Sequence, residues 1–236
     1  MINPTETLPL TSLIIPTLNE AEQIAPAIEA ALQFKGPCEI IVADGGSEDQ
    51  TLSICQNYPQ VLSLSTAKGR ARQMNAAAKS ASGDYLFFLH ADTRAPNNSL
   101  YLIHQVLKQE EVIAGSFYLR FDQLHWTYRL LSQVTRLNVP WMTYGDQGLF
   151  MRRSSFEAIG GFSDLPLMED LEIQHRLRRQ GHFVKLAVPV QTSARRFEKN
   201  GLIQQLVLDF CLMLGYYMGI SPKRLKHWYP DHSPKP

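Results

Sequence analysis

Cysteine is sparse in this 236-residue sequence: Cys38, Cys55 and Cys211 make an odd count, with no C-x-x-C pair. That spacing argues against a zinc site, a dithiol redox motif or a disulfide framework, and for buried thiols in a reducing cytoplasm. Excess charge is lacking too. The formal net charge is +1, which leaves no electrostatic footprint for nucleic acid, so none is expected as a partner. No G-x-G-x-x-G follows the first apolar run, no G-x-x-x-x-G-K-[ST] occurs, and no G-x-S-x-G is present. A dinucleotide dehydrogenase, a P-loop nucleotidase and an α/β-hydrolase are thereby disfavoured. Met1 to Pro9 has neither a basic start nor an apolar core, so no signal peptide is expected there.

A clean membrane span is also missing. Leu202 to Ile220 is rich in Leu, Val, Met, Phe and Tyr, but Gln204, Gln205 and Asp209 interrupt it. A spanning helix needs about 20 apolar residues with few or no charges, and Asp209 sits in the middle. The expectation is a helix docked on the domain. Two alternatives stay open: a peripheral membrane contact, or a homodimer interface, through 201–226, with Lys223, Arg224 and Lys226 in the tail.

What is present is a sequence with 44% hydrophobic and 19% charged residues, enough to bury a core as one domain over 1–236. Its first half alternates. Apolar runs at Leu10–Ile15, Glu39–Ala43, Val61–Leu64 and Tyr85–Leu89 are separated by helical spacing at Glu20–Leu32, Glu48–Asn57 (with Ser47 as N-cap) and Arg70–Ala81. This predicts parallel strands with crossover helices on both faces of a sheet. Ligands of such sheets sit outside the carboxyl ends of the strands. Those ends carry Pro16-Thr17-Leu18-Asn19-Glu20, Asp44-Gly45-Gly46-Ser47 and His90-Ala91-Asp92. Beyond Asp92 the order loosens: strands at Ile113–Phe121, Leu149–Arg152 and Val184–Val188, and helices at His125–Leu137 and Glu169–Gln180, the latter stopped by Gly181.

Each polar cluster supports a chemical and a plainer reading. Asp44 before two glycines accepts from a base N–H, or makes a turn. Asp92 is a hard oxygen ligand for Mg²⁺ or Mn²⁺, or caps the following turn. His90 contacts a nucleotide, ligates the metal or is packed. Lys68, Arg70 and Arg72 at a helix start attract a phosphate, or form a solvated basic face, the better reading for Arg72. Arg195 and Arg196 close over a diphosphate, or pair at the surface. Tyr144-Gly145-Asp146-Gln147-Gly148 is an acceptor-contacting loop or a turn. Glu169-Asp170 supplies a general base, or is ordinary helix-start chemistry.

Taken in order, these motifs resemble the family 2 glycosyltransferases of GT-A fold, over about Leu10 to Phe197. Leu13 to Glu20 is similar to that family's opening strand and nucleotide loop, which implies nucleotide contacts for Pro16, Thr17, Asn19 and Glu20. Ile41 to Ser47 with Asp49 and Thr51 resembles the strand whose Asp, here Asp44 beside Gly45, binds the base. Gly83 through Asp92 resembles the strand ending in the metal motif. Gly160-Gly161-Phe162 with Glu169-Asp170 resembles the acceptor segment and catalytic pair. His90 stands where the family has the first Asp of Asp-x-Asp, and Arg195-Arg196-Phe197 replaces its Gln-x-x-Arg-Trp motif. The finer marks are Leu89-His90-Ala91-Asp92-Thr93, Gly145-Asp146-Gln147-Gly148, Leu167-Met168-Glu169-Asp170 and Ser193-Ala194-Arg195-Arg196. They resemble a small bacterial subgroup labelled as an arsenosugar-biosynthesis glycosyltransferase.

The resemblance implies an α/β GT-A fold: a Rossmann-like, mostly parallel central sheet flanked by helices, with a C-terminal helix. It implies a nucleotide-sugar-binding half over about 10–95, an acceptor half over about 110–197, and a helix and tail over 201–236. The implied reaction is an inverting, Mn²⁺- or Mg²⁺-dependent transfer from a nucleoside diphosphate sugar (a UDP-sugar first) to a small-molecule or lipid hydroxyl. Asp92 would bind the metal and Asp170, beside Glu169, would be the base. Lys68, Arg70, His90, Ala91, Asp146, Gln147, Arg195 and Arg196 would line the substrates. The expected location is the cytoplasm, including the inner face of the membrane. Nucleotidyl transfer to make a nucleotide sugar, or nucleotide-sugar binding without catalysis, are the competing classes.

Overall fold

A computed structural model of the chain describes residues 8–229. Most of the N-terminal stretch, and the tail beyond Tyr229, lie outside the described residues. The first four strands form where the apolar runs are. They are β1 (Thr11–Thr17), β2 (Cys38–Asp44), β3 (Val61–Ser65) and β4 (Tyr85–Phe88), linked by α1 (Ala21–Leu32), α2 (Thr51–Cys55) and α3 (Arg70–Ser80). A two-residue strand β5 (Thr93–Arg94) and a helix α4 (Ser99–Leu107) follow. Next come β6 (Val112–Phe121), α5 (Trp126–Val134), β7 (Leu149–Arg152), α6 (Arg153–Ala158), α7 (Glu169–Gln180) and β8 (His182–Thr192). The chain then runs through α8 (Arg195–Asn200), α9 (Leu202–Tyr217) and α10 (Pro222–Lys226).

The eight strands make one sheet in the order β3-β2-β1-β4-β7-β6-β8-β5. β1 pairs in parallel with β2 and β4, and β2 with β3. β7 is antiparallel to both β4 and β6, while β6 and β8 are parallel. Only β7 and β5 therefore run against the common direction. The sheet is mixed, and mostly parallel as the resemblance implies.

Period-two alternation explains the layering. Leu13, Ile15, Ile40, Val42 and Phe87 face one core, which α1 and α4 cover through Ile24, Ile28, Leu100 and Ile103. Ile14, Ile41, Leu86 and Phe88 face the other, covered by Ala71, Met74 and Ala77 of α3 and Ile173 and Leu177 of α7. With both faces buried, the strands need no polar alternation, which is why they read as continuous apolar runs.

Two local expectations are corrected. Ser47 is not an N-cap: its hydroxyl bonds to Asp44, and α2 begins at Thr51. Asp49 wins there by accepting the Thr51 amide at 2.9 Å, and its other oxygen takes the first amide of α1, Ala21, at 3.0 Å. The last strand spans His182–Thr192 rather than five residues, since β6 pairs along its whole length. Arg195 and Arg196 open α8. The sequence pattern also passed over α4.

α9 docks as expected, by one face. Leu212 and Leu225 bury against Leu167, together with Met168, Leu208, Tyr216, Ile220 and Tyr229. No helix among the described residues is long and apolar enough to cross a membrane.

Candidate active site

The carboxyl ends of β1, β2 and β4 point to one edge because the strands are parallel, and three polar loops meet there. At the end of β2, Asp44 is fully buried. Its Oδ2 accepts the Gly46 and Ser47 amides, each at 2.9 Å, and its Oδ1 accepts the Ser47 hydroxyl and, at 3.4 Å, that of Thr17. The carboxylate thus shapes its own loop. Pro16 and Thr17 end β1 opposite Ala43 and Asp44. Asn19 adopts a left-handed conformation (φ 55°) and ties the two loops together, its amide donating to Ser47 Oγ and its Oδ1 accepting the Glu48 amide, both at 2.8 Å. Gly45 donates its amide to Thr17 O at 2.9 Å, and a Cβ there would come within 3.0 Å of the Gln73 carboxamide.

Gln73 is the residue behind that contact, and sequence reading missed it. It is buried on α3, and its Nε2 donates to Thr17 O at 2.6 Å and Ala43 O at 2.9 Å. The signal was a glutamine beside Ala71, Met74 and Ala77 on an otherwise apolar face. Glu20 leaves the β1 loop and meets Arg195 Nη2 at 3.2 Å. Burial raises its pKa, Arg195 opposes that, and Asp92 and Asp49 add to it. Glu20 and Asp92 therefore share one field, across which α8 supplies a cation.

After β4, His90, Ala91 and Asp92 turn the chain. Ala91 is buried and its carbonyl accepts Arg94 Nη1 at 2.6 Å. Asp92 is half-buried, with its Oδ1 accepting the Thr93 hydroxyl at a long 3.3 Å. His90 lies toward the other loop: its Nε2 would stand 3.3 Å from a Cβ on Gly145. Burial, Arg70 and Arg196 push its pKa down to about 3, so its imidazole is neutral at neutral pH.

Asp170 reaches the same point from α7. Its Oδ2 accepts the Gly145 amide at 2.7 Å and its Oδ1 the Leu171 amide at 2.8 Å. Met168 enters the helix with positive φ (65°), a conformation non-glycine residues rarely adopt, and one that concentrates at sites where function fixes the backbone. Glu169 beside it is buried and pairs with Arg70 Nε at 3.1 Å, the arginine side chain being 41% exposed. Burial raises the Glu169 pKa, and Arg70 holds it back. Arg72, by contrast, forms a two-pronged surface pair with Asp164, and Lys68 is exposed.

Asp146 belongs to this group. Its Oδ1 is buried without a hydrogen-bond partner among the described residues. Burial pushes its pKa up to about 6, with Asp92 and Asp170 raising it and Arg196 and Arg70 lowering it. Gln147 turns the opposite way. It is fully buried, gives its Nε2 to Met142 O at 2.8 Å, and accepts Lys185 Nζ on its Oε1. Lys185 was also missed. The signal was a lysine inside the apolar run Phe183–Val188. Arg196 donates to the Tyr229 hydroxyl at 2.7 Å.

A cavity of about 10 Å³ remains between Arg70, His90, Tyr144, Glu169 and Asp170, room for about one water. Among the described residues, no three His, Cys, Asp or Glu gather as a metal cage. Mg²⁺ and Mn²⁺ fit the residues present in another way. They take hard oxygen ligands, commonly one or two carboxylates completed by substrate phosphates, and Asp92 offers a lightly engaged carboxylate at this sheet edge.

The family model "Glycosyl transferase family 2" matches residues 12–162. The "Probable glycosyltransferase YdaM" of Bacillus subtilis is 24% identical over 205 residues, covering 75% of this chain and 49% of its own length. A "PGL/p-HBAD biosynthesis glycosyltransferase" of Mycobacterium tuberculosis is 27% identical over 173 residues, covering 66% of this chain and 64% of its own. The chain thus spans about half to two thirds of these relatives' lengths. Among solved structures, the mannosyltransferase PcManGT of Pyrobaculum calidifontis, in complex with GDP-Man and Mn²⁺, superimposes with TM-score 0.64. It is 21% identical and covers 80% of this chain and 57% of its own. S. aureus TarS 1-349 in complex with UDP has TM-score 0.65 at 18% identity, over 78% of this chain and 60% of its own. These superpositions place the sheet and its helices in the GT-A fold.

Proposed function

The chain belongs to glycosyl transferase family 2, and on that premise we propose that it moves one sugar from a nucleoside diphosphate sugar to a hydroxyl of a small-molecule or lipid acceptor, inverting the anomeric carbon. The observation that carries the reading is the convergence of the Asp44 loop, Asp92 and Asp170 at one sheet edge, with Asp170 held by the Gly145 amide. A UDP-sugar is the first donor to test: the TarS structure in complex with UDP, and the PcManGT structure with GDP-Man and Mn²⁺, support a nucleotide at this edge and leave its base open.

In this mechanism Thr17, Asn19, Glu20 and the Asp44–Ser47 loop seat the nucleoside. Asp92 would hold Mg²⁺ or Mn²⁺, whose chemistry when bound is to neutralise the diphosphate and act as a Lewis acid. Arg195 and Arg196 lie across the same field as cations. Asp170 takes the proton of the acceptor hydroxyl as its oxygen bonds to the anomeric carbon. The bond from that carbon to the diphosphate oxygen breaks, and its electron pair leaves with the nucleoside diphosphate. General-base help of this kind is worth about 10²–10⁴-fold. The two N–H donors fix the direction of the Asp170 carboxylate. Glu169, paired with Arg70, fixes the helix start from behind.

The arsenosugar acceptor is part of the same reading and rests on the four short motifs from Leu89 to Arg196. A cytoplasmic location agrees with three free cysteines. Incubation with a panel of nucleotide sugars and hydroxyl acceptors tests the proposal. Release of nucleoside diphosphate with a glycosylated product supports it. Pyrophosphate from a nucleoside triphosphate and a sugar phosphate supports nucleotidyl transfer instead, and binding without turnover supports a carrier.

A further inference from the structure

α9 is docked by one face only, and the opposite face is apolar. Ile203, Val207, Phe210, Leu214 and Tyr217 are all exposed, Ile203 at 76%. At about 100° per residue they fall within an arc of about 80°. Monomeric soluble proteins rarely leave such a stripe bare. A second exposed apolar element is linked to it through α8. α5 carries Trp126, 66% exposed, and Leu130, with Leu124 just before and Trp141 after. α5 and α8 are neighbours, since Tyr128 and Phe121 pack on Phe197 at 6.1 and 5.5 Å and on each other at 5.2 Å, as one aromatic group. Only Gly201 separates α8 from α9.

The charges around these elements select the occupant. From residue 123 to 141 the charged residues are Arg129 and Arg136, with no Asp or Glu. From 202 to 229 they are Asp209, Lys223, Arg224 and Lys226. Asp209 is turned toward the domain, accepting Gln205 Nε2 at 2.7 Å. The outward charges of both elements are therefore cations, in a chain whose total is only +1. A second copy laid on this face would set cation against cation. An anionic lipid surface complements it, and exposed Trp126, Trp141, Tyr217 and Trp228 are the residue types that settle at a bilayer interface.

We propose that α5 and α9–α10 together form a docking surface for an anionic bilayer. The surface is coupled to the site through packing. The inner face of α9–α10, by Leu212 and Leu225, packs on Leu167 directly before Glu169-Asp170, and Tyr229 meets Arg196. The inference stands apart from the transferase reading, because vesicle binding needs no turnover.

The test is co-sedimentation of the full chain with vesicles of phosphatidylcholine alone and of phosphatidylcholine mixed with phosphatidylglycerol. Two variants accompany it, Phe210→Ser and the pair Lys223→Glu, Arg224→Glu, each checked for an unchanged melting temperature. The expected result is salt-sensitive binding to the phosphatidylglycerol vesicles, weakened at least about 10-fold by the charge pair and also weakened by Phe210→Ser. Equal binding to both vesicle types overturns the proposal. So does a stable dimer that Phe210→Ser dissociates while neither vesicle is bound, which would assign the stripe to a second copy. Absence of binding by a monomer overturns it as well.

Discussion

The Gly145 amide donates to Asp170 Oδ2 at 2.7 Å, and a Cβ on Gly145 would come 3.3 Å from that same oxygen and from His90 Nε2. Residue 145 is thus the donor that aims the carboxylate, and its lack of a side chain leaves that oxygen and the His90 ring uncrowded. Asp170→Asn keeps the shape and removes the proton acceptor. Turnover should fall at least about 100-fold, with nucleotide binding nearly unchanged and a modest loss of melting temperature, because one of the two N–H donors then faces the new amide NH2. Kinetics on a donor that wild type consumes, beside calorimetric titration with the nucleotide, make the comparison. Near-normal turnover would remove Asp170 from the reaction.

Asp92→Asn and metal removal should act alike. With Asp92 as the protein's ligand, chelation by EDTA should abolish turnover, and added Mn²⁺ or Mg²⁺ should restore it in wild type alone. In the variant, nucleotide diphosphate binding should lose its dependence on the metal. Isothermal titration with and without Mn²⁺ reads this directly. A variant that still tightens on the nucleotide when Mn²⁺ is added would move the metal to another residue.

What was legible in the sequence, and what was not, follows from the range of the interactions. β1, β2 and β4 were readable because strands buried on both faces leave continuous apolar runs. Asp44 and Asp92 were readable because parallel strands end on one edge. Ser47 was misread as a cap because a serine before a helical pattern is a local signal, whereas the Asp44 carboxylate competing for it depends on the fold of the loop. Gln73 and Lys185 were invisible for a stronger reason. Each works by reaching backbone or side chains 30 or more residues away in sequence, as in the bonds to Ala43 and Gln147. α4 was missed although its buried Leu100, Ile103 and Leu107 have helical spacing.

Asp146 makes a pH prediction. Burial and two neighbouring carboxylates push its pKa up to about 6, against about 3.9 in an unfolded chain. Between those values the folded protein holds a proton that the unfolded chain has released. Stability from this group is therefore present below about pH 4, falls as pH rises toward 6, and stays lost above it. Asp146→Asn removes the dependence and should be the more stable protein at pH 7, by up to about 2–3 kcal/mol. Melting temperatures of both proteins from pH 4 to pH 8 should diverge across the lower half of that range and run parallel above it. A difference that does not change with pH would contradict the assignment.

Lys185 should act on the reaction without touching substrate. Its Nζ donates to Thr143 Oγ1 at 2.9 Å and to Gln147 Oε1, so it grips both ends of the loop that presents Gly145. Gln174 closes the circuit, its Nε2 reaching Thr143 O at 2.8 Å and Asp170 O at 3.0 Å. Burial, with Arg178 nearby, pushes the Lys185 pKa down to about 7 while Asp146 opposes the shift. Because that value lies below the unfolded one, the cost of burying the charge is full below pH 7 and fades as pH rises toward about 10. Lys185→Met keeps the bulk and relieves that cost, but leaves buried oxygens without their donor, worth about 1–3 kcal/mol each. The loop should slacken and Asp170 lose its aim. Since the Asp44 loop is untouched, kcat should fall about 10–100-fold with donor KM little changed, and Lys185→Arg should recover part of the loss. A rise in donor KM at constant kcat would place Lys185 on the nucleotide side instead.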